Sequence, residues 1–296
     1  MASQADILIE NFKVGGLAKY GLDYQTLAKA NPGLIYCSIT GFGQTGPYAH
    51  RAGYDFIIQG MSGLMSITGE VAGQPQKVGV AVTDVFTGLY SVNAILASLV
   101  RRGITGKGQH IDMALLDSAT AITANQAMNY LATGVAPAKM GNAHPNLTPY
   151  QVFDCSDGWI IIATGNDAQY QRLCKLVGVP ELAEDPRFSS NADRIANREV
   201  LTDLLTIQTQ KMSKIDLLAA CEAQGVPAGP INDLGEVFDD PQIKHRATQM
   251  ELDGVPSVRP PFHFSEADLD LSRPSPNLDE HGDEIRAHGF GPANST

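Results

Sequence analysis

Gly79-Val80-Ala81-Val82-Thr83-Asp84-Val85-Phe86-Thr87-Gly88-Leu89-Tyr90 is the stretch whose reading decides the fold. An apolar run of strand type ends at Thr83. Apolar residues then recur at Val85, Leu89, Val92, Ile95, Leu96 and Leu99, the spacing of one helical face. The pattern predicts a strand that turns into a helix, with Asp84 in or next to the first helical turn. Open α/β folds bind ligands beyond the carboxyl ends of their strands, and the helix dipole helps keep a carboxylate there ionised. Asp84 therefore either faces a ligand or simply caps the helix, a role for which Asp is a preferred residue.

Upstream, Ala5 to Phe12 reads as a strand. Val14-Gly15-Gly16 is a turn, followed by a short helical segment. Leu22 to Ala30 reads as a helix stopped by Asn31-Pro32. Gly33 to Thr40 has few polar breaks, as buried parallel strands do. Strand, helix, strand in that order predicts a right-handed crossover unit. Gly41-Phe42-Gly43-Gln44-Thr45-Gly46-Pro47 lies at the next strand end, where glycines let backbone approach a ligand closely. It is neither a G-x-G-x-x-G fingerprint nor a Walker loop, and a plain loop is the alternative. A helix is expected from Asp55 through Met61.

Downstream, the long helix is expected to run to about Arg102. Arg101 to Gln109 is a basic, glycine-broken turn that suits phosphate contacts, or merely answers the helix dipole. His110 to Leu116 reads as a strand and Asp117-Ser118 as the start of a helix to about Leu131. The segment from Gly134 to Pro149 has the look of a linker or lid. A second unit begins near Tyr150. It holds a strand over Gly158–Gly165, helices over Asp167–Val177, Asp193–Met212 and Ser213–Gln224, and an extended Val226–Ile231. A strand follows over Thr248–Asp253, then a proline-rich stretch from Val255, a short acidic helix near His288 and a frayed end.

The chain has 296 residues, 43% of them apolar and 18% charged, the balance of a protein that buries a core. Its net charge of -11 argues against nucleic acid or an anionic membrane as partner. Cys37, Cys155, Cys174 and Cys221 form no C-x-x-C pair, which predicts reduced thiols, no metal site and a cytoplasmic setting. No apolar run approaches the ~18 residues of a membrane span, and no signal peptide is visible.

Seven segments in order resemble the class III CoA-transferases, the family of formyl-CoA, carnitine and succinyl-CoA:dicarboxylate CoA-transferases. They are Glu10-Asn11-Phe12, Gly41-x-Gly43-x-x-Gly46-Pro47, Arg51-Ala52-Gly53-Tyr54-Asp55, Gly79 to Asp84 with Gly88, Thr105 to Gln109, Asp185-Pro186-Arg187-Phe188 and Gly225 to Ile231. The resemblance implies an α/β fold: a Rossmann-like large domain, incomplete here, and a smaller α/β domain, with chains interlocked in a homodimer. Residues 1–140 would belong to the large domain, 150–241 to the small one, and 255–296 would return to the large one. The family's chain starts upstream of Met1, so a truncated gene product is expected.

The resemblance also implies a chemistry. Asp84 would take an acyl group from an acyl-CoA donor as an anhydride, then CoA itself as a thioester, then pass CoA to a carboxylic acid. CoA contacts carry over to Asn11, Phe12, Lys19, Arg51, Ala52, Tyr54 and Leu115. Phe12 could pack on adenine or sit in the core, and Asp55 could support the active site or cap a helix. Gly141 falls in the family's glycine-rich lid, where Met140-Gly141-Asn142-Ala143-His144 has one glycine instead of several. Leu278-Asp279-Glu280-His281 carries Asp where the family usually has Gly. CoA thioesters enter as substrates, with no permanently bound cofactor. The succinyl-CoA:dicarboxylate branch fits the motif wording best. Two other readings remain: a 2-methylacyl-CoA racemase, disfavoured because Tyr54 fills the slot of its histidine base, and an inactive subunit that only associates.

Overall fold

Three short strands, β1 (Ile7–Glu10), β2 (Ile35–Thr40) and β3 (Gln109–Ala114), pair in that order and all in parallel. The computed structural model that shows them describes residues 1–289. β1 and β2 are joined through α1 (Tyr24–Ala30), whose first turn is capped by Asp23 accepting the Thr26 N–H at 3.0 Å. α2 (Asp55–Met61) and α3 (Val82–Thr105) lie between β2 and β3, and α4 (Leu115–Ala121) and α5 (Ala124–Thr133) follow. Contacts divide the described chain into two compact units, residues 1–141 with His288 and Gly289, and residues 142–287.

Period-two alternation sorts the sheet's faces. Ile35, Cys37 and Ile111 face α3 and form a core with Ile95, joined by Ile7, Ile39, Ala94, Leu99 and Met113. On the other face His110 stacks on Tyr24 at 5.1 Å and accepts or donates a hydrogen bond with Ser38 at 2.9 Å.

α3 meets the sheet unexpectedly. Its buried residues are Thr83, Thr87, Ser91, Ile95 and Ser98. The Thr87, Ser91 and Ser98 hydroxyls donate back to the carbonyls of Thr83, Thr87 and Ala94, and the Ser98 oxygen also accepts from the Gln109 amide at 2.6 Å. Small side chains let the helix approach closely. Most of the apolar residues that announce the helix, Val85, Leu89, Val92 and Leu96, are exposed. By length and mean hydropathy α3 is the one helix among the described residues able to span a bilayer; its Ser/Thr stripe instead packs in this unit.

In the elements of this unit three expectations need correction. Residues 79–81 form no strand: helix begins at Val82, because neighbouring side chains take the entering N–H groups, Gln59 that of Val78 and Asp55 that of Thr83. Leu115 is not on a strand but opens α4, its strand ending at Ala114. The helix expected up to Leu131 breaks at Ile122–Thr123, where the Thr123 hydroxyl donates to Thr120 and Ala124 takes a φ of 45°.

The second unit is an antiparallel sheet of β4 (Tyr150–Cys155), β5 (Gly158–Ala163) and β6 (Ala228–Pro230). α6 (Asp167–Leu176), α7 (Asn191–Ala196), α8 (Arg198–Thr209) and α9 (Lys214–Ala223) accompany it. One core gathers Phe153, Ile160, Ile162, Leu173, Leu201, Leu205 and Leu217 with three of the four thiols. All four cysteines are free and buried. Arg194, 2% exposed, ties this unit together: it donates to the carbonyls of Thr148 and Phe188 and to Asp167, and lies 4.5 Å over the Tyr170 ring. The helix expected over 193–212 is two, parted at Asn197. Ser213 caps α9 as the sequence predicts, accepting the Asp216 N–H. α10 (Leu234–Asp239), α11 (Pro241–His245), the hairpin β7 (Gln249–Leu252) and β8 (Val255–Val258), and α12 (Gly282–His288) complete the chain. Residues 255–287 group with this second unit by their contacts; the expected return of 255–296 to the large domain is carried only by the resemblance. The expected frayed end lies outside the described residues.

Candidate active site

Where β1 and β2 end, the chain leaves a cleft of about 660 Å³ within the first unit, a size in the range of small-molecule sites. Asp84 stands in its wall with Thr87 and Gly88 one turn further along α3.

The local reason for this placement is Asp55. Its Oδ1 accepts both the backbone N–H of Thr83 at 2.9 Å and the Thr83 hydroxyl at 2.6 Å. Its Oδ2 accepts from the Gln59 amide at 2.7 Å, and the Gln59 carbonyl oxygen in turn accepts the Val78 N–H. A carboxylate from a neighbouring helix thus satisfies the open N–H groups at the start of α3. The residue at the N-cap position, Ala81, contributes no side-chain bond. Asp84 is thereby relieved of the capping role: among the described residues no N–H or hydroxyl donates to its carboxylate.

The two carboxylates are driven apart electrostatically. For Asp55 burial works upward, but hydrogen bonds from Thr83 and Gln59 and from the N–H groups of Thr83 and Asp84 outweigh it and lower its pKa. For Asp84 burial raises the pKa and the negative charge of Asp55 adds to the rise. Opposed shifts in neighbouring carboxyls are how one site assigns two different roles. Here Asp55 is the fixed charge that holds a helix end, and Asp84 is the unengaged carboxylate of the two, with the raised pKa.

The cleft brings together Asn11, Phe12, Arg51, Ala52, Tyr54, Asp55, Asp84 and Leu115, all residues singled out from the sequence. Phe12 is 58% exposed, which removes the core reading; its N–H is held by the Glu10 carboxylate at 2.8 Å. Tyr54, 72% exposed, precedes α2 at its N-cap position. Lys19 and Gly141 do not line the cleft: the Lys19 ammonium lies 4.8 Å over the Tyr20 ring, and Gly141 lies near Glu70. The sequence reading missed Lys13, Thr40, His50 and Thr87, which also line it. The signal available for Thr40 was its position as the last residue of β2. Nothing local marks Thr87, whose role depends on which face of α3 turns inward.

A model of CoA-transferase family III matches residues 1–282. A succinate–glutarate CoA-transferase of Agrobacterium fabrum is 54% identical over 96% of this chain and 72% of its own length. A succinyl-CoA:glutarate CoA-transferase of Mus musculus is 41% identical over 95% of this chain and 66% of its own. The chain thus spans about two thirds to three quarters of the length of these relatives. A solved CaiB/BaiF family protein from Brucella suis superposes with a TM-score of 0.86 at 58% identity, covering 97% of this chain and 76% of the other.

Proposed function

The chain belongs to CoA-transferase family III, and from that premise we propose that it moves CoA from succinyl-CoA to a dicarboxylic acid with Asp84 as covalent carrier. The carboxylate of Asp84 attacks the thioester carbonyl, the C–S bond breaks, and CoA leaves as thiolate from a succinyl-aspartyl anhydride. The thiolate then attacks the aspartyl carbonyl, releasing succinate and leaving an aspartyl-CoA thioester. The acceptor carboxylate attacks that carbonyl, expels the thiolate and forms a second anhydride. Attack of the thiolate on the acceptor's acyl carbon yields the new acyl-CoA and restores Asp84. Each step exchanges one acyl partner, which is how covalent catalysis divides a difficult transfer.

The observation that carries this reading is the division of labour between Asp55 and Asp84. A carboxylate that neither caps nor pairs, with raised basicity and facing a cleft, is available as a nucleophile. Asn11, Phe12, Arg51, Ala52, Tyr54 and Leu115 surround the space where an acyl-CoA would lie, with Phe12 offering an exposed ring for adenine. Succinyl-CoA and glutarate are taken from the names of the relatives. The resemblance implies a homodimer, and the cysteines without a C-x-x-C pair suit a cytoplasmic setting.

The deciding experiment is trapping. Incubation with succinyl-CoA and hydroxylamine converts an aspartyl thioester to a hydroxamate and frees CoA. Mass spectrometry is expected to find that adduct on Asp84 and on no other residue, and to find none in Asp84→Ala. An unmodified Asp84 in folded, substrate-exposed protein would overturn the assignment.

A further inference from the structure

Arg51 occupies the same cleft as Asp84. The carbon of its guanidinium lies 4.7 Å from the centre of the Tyr48 ring and 5.4 Å from that of Phe42. The two rings meet edge to face at 5.5 Å. Ring faces attract a guanidinium and orient it while leaving its N–H edge free. Three other arginines spend those N–H groups on carboxylates: Arg102 on Asp6, Arg187 on Asp185 and Arg194 on Asp167. Arg51 donates to no carboxylate or carbonyl among the described residues.

The backbone beneath this group is fixed as well. Gly41 and Gly53 pass so closely that a Cβ on either would stand 2.6 Å from the other's Cα. The Asp112 carboxylate accepts the Gln44 N–H with both oxygens at 3.0 Å, and the Thr40 hydroxyl oxygen accepts the Gly43 N–H. The loop that carries Phe42 and Tyr48 and the segment that carries Arg51 are thereby locked to one another.

A pre-oriented planar fork with free donors matches a carboxylate, which accepts two parallel N–H bonds. Its position favours the reacting end of the cleft. Arg51 precedes Asp55 by four residues, which span at most ~14 Å of extended chain, and Asp55 bonds to Thr83, the neighbour of Asp84. Lys13, in the same cleft, is a flexible point charge better suited to a phosphate.

The geometry points to Arg51 as the residue that reads the second carboxylate of dicarboxylic substrates, in the acyl group of the donor and in the acceptor acid alike. This rests on the CoA-transfer reading above and adds the source of its substrate selectivity.

The test compares glutarate with pentanoate, which has the same chain length and lacks the second carboxylate. Acetyl-CoA serves as donor, so that the donor carries no second carboxylate either. In Arg51→Gln the ratio of kcat/KM for glutarate to that for pentanoate is expected to fall about 10- to 100-fold, mainly through KM, the range for a lost hydrogen bond to a charged group. Arg51→Lys keeps the charge without the fork and is expected to recover part of the ratio. Tyr48→Leu, which removes one ring and leaves the arginine, is expected to shift it the same way by less. An unchanged ratio, or a rise in KM for acetyl-CoA that accounts for the whole effect, overturns the assignment in favour of a phosphate contact. Calorimetric titration of glutarate into the resting protein is expected to show binding that Arg51→Gln weakens; equal binding by both also overturns it. If the unaltered protein forms no adduct on Asp84, the carrier reading fails, and the calorimetric comparison still decides the role of Arg51.

Discussion

At the scale of the residue, the question is which of two neighbouring carboxylates reacts and which one holds structure. Asp55 accepts hydrogen bonds from Thr83 and Gln59, and Asp84 accepts none among the described residues. Asp55→Asn retains an oxygen for the Thr83 N–H but loses the charge that raises the Asp84 pKa. Its acid limb of kcat/KM against pH is expected to move to lower pH, with a slower rate on the plateau, because a less basic carboxylate is a weaker nucleophile. Asp55→Ala loses the acceptor itself and is expected to cost about 1–2 kcal/mol in denaturant melts, the range for a lost helix cap. The sign of the linkage follows from the lowered pKa. Ionised Asp55 contributes stability above the ordinary carboxylate value, and that contribution disappears as pH falls through its depressed folded-state pKa. Asp84 acts oppositely: its raised pKa means that charging it disfavours the fold as pH rises past the ordinary value. Melting curves of Asp55→Asn between acid and neutral pH should therefore lack a rise that the unaltered protein shows.

At the scale of the element, α3 places its hydroxyl stripe, and not its apolar stripe, against the sheet. Ser91→Leu is expected to lower stability by about 1–3 kcal/mol in denaturant melts, since a larger side chain overfills a close helix–sheet contact. Gly53→Ala should be worse than its volume suggests, because the added carbon meets backbone at Gly41 that has nowhere to move. Loss of dicarboxylate selectivity with retained fold is its expected signature, read by the same glutarate to pentanoate ratio. In the second unit, Arg194→Leu strips partners from two carbonyls and Asp167 and is expected to cost ~3 kcal/mol in chemical denaturation. The thiols there are deep in the core: burial pushes Cys174 and Cys221 up to about 11. Native protein should resist alkylation by iodoacetamide at neutral pH and react once denatured.

At the scale of the whole molecule, an uncovered apolar face of Val85, Leu89, Val92, Leu96 and Val100 is more than a lone surface leucine would signify. Sedimentation is expected to give the mass of a homodimer; a monomer at every concentration would refute that assembly. How much of this was legible in the order of residues differs by kind. Parallel pairing of β1 and β2 followed from the few polar breaks in Gly33–Thr40 and the helix between, and the start of α9 followed from Ser213. The strand read into Gly79–Thr83 failed because a short apolar run has no strand identity without a neighbour to pair with, and no strand among the described residues pairs with it. The sequence alone determined which residue types stand at the cleft, through runs such as Arg51-Ala52-Gly53-Tyr54-Asp55, since each motif is local and its spacing is written in the chain. Only tertiary structure decided that Asp55 caps a helix 28 residues away, that Asp84 is thereby left unengaged, and that Phe42 and Tyr48 hold Arg51. Hydrogen bonds and ring contacts depend on distances across the fold, and the direction in which α3 turns its faces is set by how closely its smallest side chains let the sheet approach.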